Sequence, residues 1–175
     1  CNYLLATDLE MATPDGYAST SWSTGYGDYV MKPDLGTLRP VPWIEGTAIC
    51  LCDVLDHNTH KPVPFSPREV LKTQISRAED MGFSSIMATE LEFFLFQGTH
   101  DEIAANGFRE LKPISNYNED YHIFQTSKEE HVMRPIRNFL RDMGIPVEGT
   151  KGEAEAGQEE LNIKYADVLS TADHH

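Results

Sequence analysis

A chain of 175 residues is long enough to bury one ordinary core, or one small domain and part of another. Hydrophobic residues make up 40% and aromatics 10%, which excludes a disordered segment. Lys and Arg total 14 against 28 Asp and Glu, a formal charge of −14, which argues against binding nucleic acid and is compatible with holding cations.

Residues 3–10 predict a strand. Thr13 to Asp28 is polar and Gly-rich, with Asp15-Gly16 as a turn signal, and is long enough to be a functional or mobile loop. Residues 29–31 predict a short strand, and Lys32-Pro33-Asp34-Leu35-Gly36 a turn. Residues 47–54 predict another strand, in which Cys50 and Cys52 alternate onto one face. With Cys1 they are the only cysteines, so neither a zinc site nor a disulfide framework is expected, and a reducing, cytoplasmic compartment is. No apolar run is long enough to span a membrane, no secretory signal opens the chain, and both ends read as cut within an element.

His57 to Pro64 is polar and Pro-rich, as a crossing between domains would be. Ser66-Pro67-Arg68-Glu69 then opens a helix that runs to Met81 and stops at Gly82. Residues 84–96 predict a strand, 98–127 a polar irregular stretch, and 129–143 a helix with Pro135 either inside it or at its first residue. Ile145 to Glu148 predicts a strand, 150–160 a loop or strand, Asn162 to Tyr165 an extended segment and 166–175 a helix. The first part is mainly β and the rest mixed, which predicts two domains.

The strand that carries chemistry is Thr89-Glu90-Leu91-Glu92-Phe93-Phe94-Leu95-Phe96. Side chains alternate along a strand, so Glu90 and Glu92 share one face, their Cα atoms roughly 6.5–7 Å apart, while Leu91, Phe93 and Leu95 line the other as a core face. Carboxylates buried on an apolar strand need a positive partner, for which a hard divalent cation is the sharpest candidate; the alternative is a solvent-facing strand edge. A second acidic cluster, Gly152-Glu153-Ala154-Glu155-Ala156-Gly157-Gln158-Glu159-Glu160, holds four glutamates among small residues that let a backbone or ligand approach. The two clusters could meet across a sheet, and oxygen-only ligation suits Mg²⁺ or Mn²⁺ rather than zinc.

Glu90-Leu91-Glu92-Phe93-Phe94-Leu95-Phe96 resembles the E-x-E-F-F-x-F strand of glutamine synthetases. The second cluster is similar to that family's G-E-x-x-P-G-Q-x-E segment, with Ala156 in place of proline. Lys32 to Trp43 resembles its P-D-x-x-T-x-R-x-x-P-W stretch, Pro67-Arg68-Glu69-Val70-Leu71 its P-R-x-x-L helix start, and Ala166-Asp167 to Ala172-Asp173 its Y-A-D-x-x-x-x-A-D region. The resemblance implies an α+β fold: the C-terminal part of a β-grasp N-terminal domain over 1–57, then the first part of the α/β catalytic domain over 58–175. It implies that Glu92, Glu153 and Glu160 are ligands of a first divalent site and Glu90 of a second, beside the phosphates of ATP. Glu148 and Tyr165 fall where the family contacts the nucleotide and its adenine. Asp15 and Asp28 resemble two acidic residues that reach the ammonium site of a neighbouring subunit; Asp15-Gly16-Tyr17-Ala18 stands where the family often has D-G-S-S, which bears on amine specificity. Glu155 and Glu159 receive no role and are expected to be solvated or to support the ligands from behind.

The activity so implied is an ATP- and Mg²⁺-dependent ligase that joins the γ-carboxylate of glutamate to ammonia through a γ-glutamyl phosphate, in a homo-oligomeric ring. Alternatives are a ligase for a polyamine or other amine, a catalytically inert structural relative, and a guanidino kinase, which would lack the β-rich first part and the glutamate pairs. The family's later ligands lie beyond residue 175, so residues 1–175 alone are expected to be inactive.

Overall fold

The computed structural model describes every residue except Cys1, Pro14, Asp15 and Thr24. By its internal contacts the chain separates into two compact units, one of residues 1–38 with 49–85 and one of residues 39–48 with 86–175. That division follows contacts along the chain and does not fall at residue 57.

In the first unit a helical turn, Asn2–Leu5, stands where a strand over 3–10 was expected. The Asp8 carboxylate accepts the N–H groups of Glu10 and Ala12, so the local backbone is held in a turn rather than offered to a sheet. Strand β1 (Tyr29–Pro33) runs antiparallel to a strand at Cys52–Asp56. The predicted strand 47–54 is thus broken, after a two-residue piece at Ala48–Ile49. The break has a cause: Leu51 donates to Thr37 Oγ1 at 2.9 Å and accepts from Asp34 N–H, while the Cys50 thiol lies 3.2 Å from the Asp34 carbonyl. In chain order the strands after β1 are β2 (Arg39–Pro40), which falls in the second unit, β3 (Ala48–Ile49), at the division between the units, and β4 (Cys52–Asp56), in the first. Helix α1 (Pro67–Asp80) follows with proline in its first turn, and ends before Gly82, which has φ +83°. Its Arg68 bridges Asp34 and Asp53 at 2.7 and 2.6 Å, and Lys72 reaches Asp53 at 2.7 Å. Burial raises Asp53, but Lys72 and Arg68 outweigh it and hold the carboxyl below the ordinary range.

The second unit has a mixed α/β core. Strand β5 (Ile86–Met87) is separate from β6 (Glu90–Phe94), so the predicted strand 84–96 is also two pieces. Helix α2 (His100–Ala105) occupies part of the stretch read as irregular; Thr99 and Glu102 form its capping box, a pattern visible in the sequence. After a short α3 (Ile123–Thr126), helix α4 (Glu130–Asp142) runs through Pro135, which forgoes one intrahelical bond without ending the helix. Strands β7 (Val147–Gly152) and β8 (Gln158–Ile163) form a hairpin, and β9 (Ala166–Asp167) leads into α5 (Val168–His174). β8 is the centre of a three-stranded sheet, β6-β8-β7, antiparallel throughout. Ile145, Leu161 and Ile163 bury one face of it under Ile136, Leu140 and Met143 of the α4 region. The expected apolar core face of β6 is only partly covered: Leu91 is 42% exposed, while Phe93 and Leu95 are half-buried.

Close approaches fix the hairpin. A Cβ on Gly152 would stand 2.5 Å from Glu119 Cβ, and one on Gly157, at φ +74°, would stand 2.8 Å from the Leu95 carbonyl oxygen. On the buried face, Glu159 takes the second of its two expected places, behind the ligands rather than in solvent. Glu159 and Glu119 are fully buried, and neither carboxyl has a hydrogen-bond partner among the described residues. Burial, then the charges of Glu119 and Glu129, push the Glu159 carboxyl up to about 7.

An unfolded carboxylate titrates near 4.5. Between that value and about 7 the folded chain binds the extra proton, so this group's contribution to stability falls as pH rises through that window and is flat above it. Glu159→Gln should remove the dependence and raise stability at pH 8 by up to about 3 kcal/mol. Urea unfolding at pH 5 and pH 8 checks this; an unchanged pH dependence in the variant would contradict it.

Candidate functional site

The site lies on the other face of the same sheet. Period-2 alternation puts Gln158, Glu160 and Asn162 of β8 on one side, and Glu159, Leu161 and Ile163 on the other. The register sets Glu90 opposite Asn162 and Glu92 opposite Glu160 on one flank, and Lys151 opposite Glu160 on the other. Glu92, Glu160 and Lys151 therefore form a row across three strands. Glu153 follows β7 at the start of the hairpin turn, where its N–H donates to the Gln158 carbonyl.

Two glutamates directly opposite one another repel, and each needs a donor. Gln158 Nε2 donates to Glu92 at 2.6 Å, and Asn162 Nδ2 donates to Glu160. Lys151 Nζ donates to Glu153, lies 3.2 Å from Glu160 and donates to Asp120 at 2.8 Å. Its ammonium also stands 4.8 Å from the ring centre of Tyr121, whose backbone is in the left-handed region at φ +53°.

Electrostatics record the crowding. The charge of Glu160, then a hydrogen bond with Glu92, push Glu90 above the ordinary range. A hydrogen bond with Glu160, then one with Lys151, hold Glu153 down at about 2. Burial pulls Lys151 down, but Asp120, Glu153 and Glu160 outweigh it, and its ammonium is held well above the usual value.

The structure thus brings Glu90, Glu92, Glu153 and Glu160 into one cluster. Their donor chemistry is all carboxylate oxygen, which fits a hard divalent cation. As the side chains stand, no three His, Cys, Asp or Glu among the described residues are disposed to hold a metal ion. The oxygens of Glu92, Glu153 and Glu160 are turned instead toward Gln158, Lys151 and Asn162.

Glu148 occupies a β-bulge in β7, between Val147 and Gly149, and its side chain is exposed. Tyr165 follows β8 and is 71% exposed. Asp28 belongs to the first unit, where it lines a cleft of about 550 Å³ with Tyr29, Asp56, His57 and Phe65. Asp15 lies outside the described residues. Lys151, Asp120, Gln158 and Asn162 were not singled out from sequence. For Gln158 and Asn162 a signal existed, since both alternate with Glu160; Asp120 reaches the site from a loop 31 residues before Lys151, and no local pattern announces it. Among the described residues no helix is long and apolar enough to cross a membrane.

A family profile described as the glutamine synthetase catalytic domain matches residues 64–175. The whole chain is 42% identical to 38% of the length of a gamma-glutamylethanolamide synthetase from Streptomyces coelicolor. A glutamate–isopropylamine ligase from a Pseudomonas species is 38% identical over 172 residues, 98% of this chain and 37% of its own. A glutamine synthetase from Halobacterium salinarum is 33% identical over 157 residues, 84% of this chain and 32% of its own. Among solved structures, a GmaS–ADP complex superposes with a TM-score of 0.70 at 28% identity, over 85% of this chain and 33% of that one. The chain therefore spans less than two-fifths of the length of the curated relatives it matches. It belongs to the glutamine synthetase family.

Proposed function

We propose that the protein containing this chain is an ATP-dependent ligase that joins the γ-carboxylate of glutamate to a small amine. The observation that carries the reading is the convergence of Glu90, Glu92, Glu153 and Glu160 on one face of β6-β8-β7. Ammonia is the acceptor the motifs alone suggest. A primary alkylamine or amino alcohol is favoured here, because the relatives at 42% and 38% identity are named for a gamma-glutamylethanolamide product and for isopropylamine as the amine ligated. Ammonia remains as the second reading, supported by the glutamine synthetases at 33%.

In this reading Glu92, Glu153 and Glu160 would hold one divalent cation on the glutamate side, and Glu90 would contribute to a second on the nucleotide side. When bound, such cations supply positive charge to phosphate oxygens, which lowers the cost of charge build-up in transfer. Glu148 and Tyr165 are assigned to the nucleotide, and a relative's structure with ADP supports a nucleotide site in the family. The chemistry balances in two steps. A γ-carboxylate oxygen of glutamate attacks the γ-phosphorus of ATP and ADP departs. The amine nitrogen then attacks the acyl carbon, the C–O bond breaks with its electrons on phosphate, and the surplus proton passes to a carboxylate. Asp28 and Asp15 are the proposed acceptors of that proton, reaching the site of a neighbouring subunit in a ring. We assign residues 1–57 to the β-grasp part and 58–175 to the catalytic domain.

Phosphate release from ATP by the complete protein, with Mg²⁺ and glutamate, tests the reading across ammonium, ethanolamine, isopropylamine and a diamine. Release should require glutamate and rise most with a small primary amine. Glu153→Gln and Glu160→Gln should each lower kcat/KM on the order of 100-fold or more. No release with any amine would identify an inert relative, and stimulation by ammonium alone would identify a glutamine synthetase. Purified residues 1–175 should release none.

A further inference from the structure

The carboxylates that should bind metal are converged, yet their oxygens are claimed by side-chain donors, and one of those donors is itself a cation. Lys151 Nζ touches Asp120, Glu153 and Glu160 together. A fixed ammonium and a divalent cation cannot both occupy the space between Glu153 and Glu160, because their charges repel and they share the same oxygens. Lysine is suited to yield, since its charge is a single point on a flexible four-carbon stem, unlike the rigid guanidinium fork. It also has somewhere to go. Lys151 lines an open cleft of about 310 Å³ whose wall includes Thr126, Glu130 and Thr150; Glu130 is already paired with Arg134 and Arg137, so it is solvent in the cleft that would receive the ammonium.

We propose that Lys151 is an internal cation that holds the carboxylate site closed, and that a divalent cation enters by displacing its ammonium from Glu153 and Glu160 into the solvent of that cleft. Before entry, Lys151 keeps the glutamates from repelling one another and leaves the sheet folded. After entry, the ion takes over that compensation and Lys151 is released toward solvent. Lys151 is thus a positioning residue, which sets the affinity of the site without contacting the reacting atoms. The inference rests on reading Glu153 and Glu160 as metal ligands.

The test uses the complete protein without nucleotide or glutamate. Lysines are acetylated with an N-hydroxysuccinimide ester, with chelator or with saturating Mn²⁺, and quantified by peptide mass spectrometry; the exposed Lys164 is the reference. Mn²⁺ affinity is measured in parallel from the free-ion paramagnetic resonance signal. Saturation with Mn²⁺ should raise Lys151 labelling about tenfold relative to Lys164, and Lys151→Met should bind the first Mn²⁺ about tenfold tighter, the equivalent of one lost charge-assisted contact. Lys151→Arg, which keeps the charge in a stiffer form, should bind more weakly than Lys151→Met. Labelling of Lys151 that Mn²⁺ leaves unchanged or lowers would overturn the inference, as would a Lys151→Met protein that binds Mn²⁺ no tighter. The labelling needs no substitution, so it decides the matter even where Lys151→Met does not fold. Failure of the metal reading itself looks different: Glu160→Gln would then leave Mn²⁺ affinity unchanged.

Discussion

Glu92 and Glu160 stand directly opposite one another in neighbouring antiparallel strands, and the rest of the second unit is arranged around that repulsion. A like-charged cross-strand pair costs stability unless something positive joins it. The sheet answers with Gln158, Asn162 and Lys151 on the same face, and with a deep apolar face behind it that keeps β8 in register. Slipping the register by one residue would send Leu161 and Ile163 to the acidic side and Glu160 into the core, so the hydrophobic packing of α4 on β8 is also what aims the carboxylates.

The opposite face shows the cost of an acidic strand in a different way. Glu159 has no cation and no donor among the described residues; burial and its neighbours shift its protonation instead. One strand therefore carries two adjacent glutamates under opposite regimes. Glu160 is compensated by an ammonium and an amide, whereas the Glu159 carboxyl is pushed toward its protonated form. Gly152 makes this possible, since any side chain there would collide with Glu119.

Much of this was legible in the sequence where a signal is local. The shared face of Glu90 and Glu92 follows from strand alternation, and the two helices at 66–81 and 129–143 follow from apolar spacing and end signals. The small residues around Gly157 do permit the close backbone approach they suggested. Long-range pairing was not legible. That Glu92 faces Glu160 depends on a register between strands about 70 residues apart, and motif resemblance, not pattern, brought the two clusters together. For Glu159 the sequence left solvent and a place behind the ligands both open, and only the packing over that face shows that it is buried. The strand expected at residues 3–10 failed for a local reason, the turn made by Asp8, and the strand at 47–54 broke because Thr37 and Asp34 claim Leu51.

The central claim is that a divalent cation belongs between Glu153 and Glu160. The most direct measurement is an anomalous difference map from crystals of the complete protein soaked in Mn²⁺. The account predicts a peak within coordination distance of both carboxylates, with the Lys151 ammonium withdrawn from them. A map with no peak there, or a peak elsewhere while Lys151 still bridges Glu153 and Glu160, would contradict it.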